Sequence, residues 1–360
     1  MISALLPPLF DRWIGEWVTD PLPGESHATC DRCVMCATDG QTGTERLFFN
    51  RAIKCCTYLP SIPNFLAGRI LTDDGADIAQ GRATVDQRIT AGVAITPFGL
   101  GIPAPYRLLY RNAQEFFGRA EDLRCPHYVA EGGRCGIWRH REATCATWFC
   151  KHERGATGQT FWTAIRDLLH GVEHDLARWC VLSLVHDDRV LATLAAADQA
   201  QDRLDVYALD GLPNPGTQRE LWGEWAGRER EFFVEAARLV DPLRWSDVLE
   251  ICGPAVKMQI AAVRARHRQL NDRLPTVLRL GRYEIIQGSL DGATLRTYSD
   301  FDPLRVPQPL LDALPFFDGR PTADACDAIA RERGVVLTSS QLREFIDFRI
   351  LVPDPEAPAH

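Results

Sequence analysis

Three cysteines at two-residue gaps, Cys30-Asp-Arg-Cys33-Val-Met-Cys36, are the first residues in this chain whose types and spacing could do chemistry. A gap of two lets neighbouring thiolates turn towards one ion, and soft thiolate donors select zinc or an iron–sulfur centre over hard cations. A second series follows in Cys125-Pro-His, Gly-Gly-Arg-Cys135-Gly-Ile-Trp, Arg141-Glu-Ala-Thr-Cys145 and Phe149-Cys150-Lys-His152. The adjacent Cys55 and Cys56 lie between the two series. Nine of the 12 cysteines fall between Cys30 and Cys150, well above a uniform scatter. The other three are Cys180, Cys252 and Cys326. Cys180 and Cys326 sit on apolar helical faces and read as small buried hydrophobes.

The early triplet is incomplete by itself. It resembles the opening of a ferredoxin run, which needs a fourth cysteine three residues after the third, and position 40 is Gly. It is not the radical-SAM triad, whose first gap is three residues. Further ligands must come from elsewhere, and Cys55 and Cys56 are the nearest. Adjacent cysteines rarely serve one ion equally, so one of that pair is a candidate bystander. The expected metal ligands are Cys30, Cys33, Cys36, Cys56, Cys125, Cys135, Cys145 and Cys150, with Cys55 as a further cluster-binding candidate. That pool suffices for two four-ligand sets. An iron–sulfur cluster, one or two of the [4Fe-4S] type, is the first reading; zinc is the alternative. His27, His127, His140 and His152 flank the cysteines as ligands or proton-transfer partners, and His152 leads them because it follows Cys150 at a two-residue step.

The stretch CPHYVAEGGRCGIWRHREATC resembles the later half of the YkgJ-like cysteine-cluster family, described as zinc- or iron-chelating. In that family the pattern runs Cys, a short gap, Gly-x-Cys-x-Ile-Tyr, then Arg-Pro-x-x-Cys. Cys125, Cys135 and Cys145 occupy its cysteine positions, Ile137-Trp138 stands for Ile-Tyr, and Arg141-Glu142 for Arg-Pro. The family's earlier half, a Cys-x-x-Cys step with a Cys-Cys pair, is here spread over Cys30, Cys33, Cys36, Cys55 and Cys56. The resemblance covers about 130 residues and implies metal chelation by these cysteines.

The elements that must position these residues divide the chain into three expected parts, giving an α+β fold class. Residues 1–155 are rich in Gly, Pro and Cys with few periodic runs, as in a loop-rich domain organised around a metal. Residues 156–274 read as a helical unit. Phe161, Ile165, Leu168, Leu169, Val172, Leu176 and Trp179 recur at helical spacing over 158–186, and further helical stretches are expected over 218–240 and 245–270. Residues 275–360 open with strands over 277–299, where Asp291-Gly292 marks a hairpin. Three short helices follow: one near 307–316, one from Thr322 to about Gly334, and one from Thr338 to about Phe348. An aliphatic exit, Ile350-Leu351-Val352, ends the part.

This last part resembles a PqqD-like winged helix. That resemblance implies docking of a peptide or protein beside a peptide-modifying enzyme, many such enzymes being iron–sulfur proteins. The third helix offers Arg343 and Arg349 but also Glu344 and Asp347, a poor face for a polyanion. A net charge of −8 likewise argues against nucleic acid as partner. No apolar run approaches the roughly 18 residues of a membrane span, and the N-terminus lacks the basic region of a signal peptide, so a cytoplasmic location is expected. There is no Walker loop, nucleophile elbow or HExxH. Three functions remain open: an iron–sulfur protein with a redox or peptide/protein-modifying role, a non-catalytic zinc-stabilised binding protein, and a redox-sensing winged-helix regulator. An enzyme is possible only on the first reading.

Overall fold

The computed structural model describes residues 5–18, 21–26, 30, 33–36, 48–199 and 206–355. Helix dominates and short sheets accompany it, so the chain is α+β. Two compact units emerge. The first comprises Met1–Leu22, Thr29–Trp148 and Ile165–Ile260; the second comprises Pro23–Ala28, Phe149–Ala164 and Ala261–His360.

In the first unit, helix α1 (Pro8–Gly15) starts at a proline, whose missing N–H costs nothing in the first turn. It buries Leu9, Phe10, Trp13 and Ile14 on one stripe. Next come α2 (Asn64–Thr72), α3 (Ala79–Ala91), α4 (Ala104–Asn112) and the single-turn α5 (Ala143–Thr147). Between them run the two-residue strands β1 (Ile62–Pro63), β2 (Ile95–Thr96) and β3 (Gly99–Leu100), ordered β1-β3-β2, and the hairpin β4 (Tyr128–Val129) with β5 (Arg134–Cys135). Strands this short bury little, so side chains and turns must hold the loops. Asn64 is fully buried and donates to the carbonyls of Pro97 and Ala177, both at 2.9 Å.

Helix α6 (Gly155–Leu184) contributes residues to both units, and Ile165, Leu168, Leu169, Val172 and Leu176 on it are wholly buried. Helices α7 (Asp188–Gln199), α8 (Val206–Leu209), α9 (Pro215–Trp222), α10 (Glu229–Val240), α11 (Trp245–Cys252) and α12 (Pro254–Leu270) follow. The single helices expected over 218–240 and 245–270 are each broken in two. Gly223 takes a φ of +50° between α9 and α10, and Gly253 takes +70° immediately before Pro254. Neither conformation continues a right-handed helix.

The second unit holds β6 (Val277–Leu280), β7 (Glu284–Ser289), β8 (Gly292–Arg296), β9 (Leu304–Pro307), α13 (Gln308–Leu311), β10 (Asp318–Pro321), α14 (Thr322–Arg333), α15 (Ser339–Asp347) and β11 (Leu351–Pro353). Its sheets are ordered β10-β6-β11 and β7-β8-β9, all antiparallel. Thr338 caps α15, with Gln341 returning a bond to the Thr338 N–H. Leu278, Leu295, Val306, Leu314, Phe317, Ile329, Phe345, Ile350 and Leu351 close one apolar core. None of the described helices is long and apolar enough to cross a membrane.

Candidate metal centre

The twelve cysteines are free thiols. Eight belong to the first unit, and backbone bonds tie the segments that carry them, although no three of their sulfurs lie within 4.8 Å of one another among the described residues. The Cys125 N–H donates to the Cys56 carbonyl at 2.7 Å, tying the 125 loop to the vicinal pair. Tyr128 pairs with Cys135 across the β4–β5 hairpin. Cys36 bridges to Phe49, whose N–H donates to the Met35 carbonyl at 2.6 Å.

The thiols feel one another's charge. Cys30 senses Cys55 and Cys135, Cys33 senses Cys36 and Cys55, and Cys56 senses Cys125 and Cys135. Cys145 senses Cys135 and Cys125. Burial pushes the thiols of Cys30, Cys33 and Cys125 up to about 12 and those of Cys135 and Cys145 upward as well, while Cys56 is raised first by its hydrogen bond to Cys55 and then by burial. Cys55 runs the other way, lowered chiefly by the hydrogen bond from Cys56. A cation at the centre would reverse this preference for the thiol form, because metal coordination deprotonates a thiol outright.

Three of the sulfurs share one local device. The N–H of Met35 donates to Cys33, that of His127 to Cys125, and that of Ile137 to Cys135, each two residues downstream. Such bonds favour the thiolate.

Three cationic side chains approach the same thiols. Lys54 is 8% exposed, holds a left-handed φ of +53°, and donates to the carbonyls of Gly133, at 2.6 Å, and Cys30. Arg141 is buried, stacks 3.4 Å over the Trp138 ring, and donates to the carbonyls of Trp138, Cys145 and Leu5. Its charge acts on Cys135, Cys145, Cys30 and Cys55. Arg88 faces Cys125, is lowered to about 10 by burial, and keeps Nη1 buried with no hydrogen-bond partner among the described residues. None of the three forms a carboxylate ion pair among the described residues. An iron–sulfur or zinc–thiolate group carries net negative charge when four thiolates bind it. The soft donor set, the N–H···S bonds and the orphaned Arg88 nitrogen therefore fit such a group.

The flanking histidines differ from one another. His127 is 1% exposed, with Nδ1 at 2.7 Å from Thr84 Oγ1 and Nε2 without a partner among the described residues; burial and then Arg88 lower it to about 3. His140 Nε2 lies 2.8 Å from Asp73 Oδ2, a carboxylate that Arg139 also engages. His152 belongs to the second unit, where its backbone N–H donates to Asp302 and burial lowers its ring to about 4. His27 lies outside the described residues. Cys150 also belongs to the second unit, whereas the other eight candidates belong to the first. Cys180 is wholly buried beside the Ala236 carbonyl, Cys326 packs against the apolar core of the second unit, and Cys252 is buried beside a cleft lined by Asp175, Arg178, Asp247 and Glu250.

Sequence reasoning missed Lys54, Arg88 and Arg141 as parts of the centre. Arg141 stood in the quoted motif, but nothing in its spacing marked it as buried. Comparison with protein-family models, with curated proteins and with solved structures finds no match to this chain.

Proposed function

We propose that this chain is an iron–sulfur protein whose first-unit cysteines hold one or two clusters of the [4Fe-4S] type. The observation that carries the reading is that eight thiols of the first unit act on one another's charge and on Lys54, Arg141 and the half-buried Arg88, three cations with no carboxylate partner among the described residues. Cys30, Cys33, Cys36, Cys55, Cys56, Cys125, Cys135 and Cys145 are the donors at hand. The cluster, when bound, supplies one-electron redox chemistry. Lys54, Arg88 and Arg141 raise its potential by stabilising the added negative charge, and the N–H groups of Met35, His127 and Ile137 orient and stabilise individual thiolates.

The second unit serves in this reading as a PqqD-like winged helix that docks a peptide or protein. Strand β7 supports it: this edge strand is exposed nearly throughout, with Ile285 57% exposed and the following Leu290 97% exposed. An edge of that kind can accept an added strand. The role that follows is redox chemistry, or modification of a docked peptide or protein.

Anaerobically purified protein is expected to be brown and to contain iron and acid-labile sulfide. Cys135→Ser and Cys145→Ser should each lose most of the iron. A colourless preparation with stoichiometric zinc, or full iron content in both variants, overturns the proposal.

A further inference from the structure

Glu142, His170 and Glu173 meet within the first unit, and Glu142 also accepts from the Cys145 N–H. Each offers one ligand atom, and the three atoms lie within 4.8 Å of one another. Ligands at about 2.0–2.2 Å from one ion stand at most about 4.4 Å apart, so a small rotation of one side chain closes the set.

The two carboxylates are far from ordinary surface acids. Glu142 is 2% exposed and Glu173 is 4% exposed, and their charges oppose each other. Burial first, and then Glu142, pushes the Glu173 carboxyl well above its usual range. No Lys or Arg pairs with either carboxylate among the described residues. The nearest basic group is the His170 imidazole, whose Nδ1 stands 3.7 Å from Glu173 Oε2. Two abutting buried carboxylates need a cation or a shared proton.

The backbone orients the carboxylates and leaves lone pairs over. Glu142 caps α5 and accepts from the N–H groups of Thr144, at 2.7 Å, and Cys145, at 2.8 Å. Glu173 Oε1 accepts from the Ala143 N–H at 2.8 Å. His170 lies one turn before Glu173 on α6, with its side chain 47% exposed, and Nε2 is 2.8 Å from Thr144 Oγ1. The imidazole thus stands on the exposed side of two buried carboxylates.

We propose that Glu142, His170 and Glu173 form a second metal site, chemically distinct from the thiolate centre, for a divalent first-row transition ion. Two carboxylates and one imidazole are harder donors than thiolates and suit Mn²⁺, Fe²⁺ or Zn²⁺. Three protein ligands leave positions open to water, as in sites that bind an exchangeable ligand. Tyr58 hydrogen-bonds Thr144 and feels the charge of Glu142.

Mn²⁺ is the discriminating probe, because thiolates compete for it weakly. Mn²⁺ is titrated into the oxidised, cluster-loaded protein and followed by electron paramagnetic resonance. One bound Mn²⁺ per chain is expected, displaced by Zn²⁺. His170→Ala, at an exposed position that should not disturb folding, and Glu173→Gln should each weaken binding at least about tenfold with iron content unchanged. Absence of Mn²⁺ binding, or equal affinity in both variants, overturns the site. A Glu173→Gln variant that is more stable than the parent, in a parent that takes no Mn²⁺, assigns the pair to a shared proton and also overturns it.

Discussion

The cysteine-bearing loops and the core of the C-terminal unit solve the same problem by opposite means. Around Leu278, Leu295, Phe317, Phe345 and Leu351 the second unit closes an apolar core between two antiparallel sheets and two helices. That burial supplies its own stability. The loops of Cys30–Cys36, Cys55–Cys56 and Cys125–Cys145 have two-residue strands, single-turn helices and buried cations instead. Burying Lys54 and Arg141 without carboxylates costs free energy, which an anionic cluster would offset. One region carries its order in its own apolar side chains, and on the proposed reading the other takes it from a bound cluster.

Metal removal is the sharpest way to break that contrast, and it should have the largest effect. Chelation under anaerobic conditions should bring amide exchange between Cys125 and Cys145 close to that of an unprotected chain, with protection over 277–353 unchanged. Equal loss in both regions would show that the two are not separately ordered. The converse experiment is Phe345→Ala. Phe345 is 2% exposed, and its truncation should cost about 3–5 kcal/mol in the second unit's unfolding while iron content stays constant. Loss of iron in that variant would contradict the contrast.

The smallest effect concerns pH. Glu25 is 4% exposed and accepts from Trp162 Nε1 and the Glu153 N–H. Burial is the main cause that raises its carboxyl from the ordinary 4.5 to about 7, outweighing those donors. A folded pKa above the unfolded one means that the folded state holds the proton more tightly. Its contribution is fully present below pH 4.5 and is lost as pH rises through 7, by at most about 3 kcal/mol. Melting curves between about pH 5 and pH 8 should show that decline in the parent and a flatter profile in Glu25→Gln. Parallel profiles would remove Glu25 as the cause.

What the sequence made legible was local. The apolar stripe of α6 and the Thr338–Gln341 cap are written in neighbouring residues, and the structure has both. The breaks at Gly223 and Gly253 were not legible, since glycine in a periodic helix pattern need not take a positive φ. The cysteine pool announced itself by residue type alone. Its cations did not, because Lys54 reaches carbonyls 24 and 79 residues away. The same holds for Glu142 and Glu173. His170-x-x-Glu173 is a visible helical step, but only folding brings the N-cap of α5 against it.

Glycine at position 81 carries a last consequence. It lies inside α3, where alanine would favour the helix by about 1 kcal/mol. A methyl group there would stand 2.0 Å from the Gly136 carbonyl oxygen and 2.8 Å from Ile137 Cγ2. Those two residues follow Cys135 directly, and Ile137 supplies the N–H on its sulfur. Helical propensity and the placement of the Cys135 loop therefore compete for one atom's worth of space. In mutational drift, the substitution that most improves this helix is the one that displaces the loop holding a sulfur, so position 81 is closed to the commonest stabilising change.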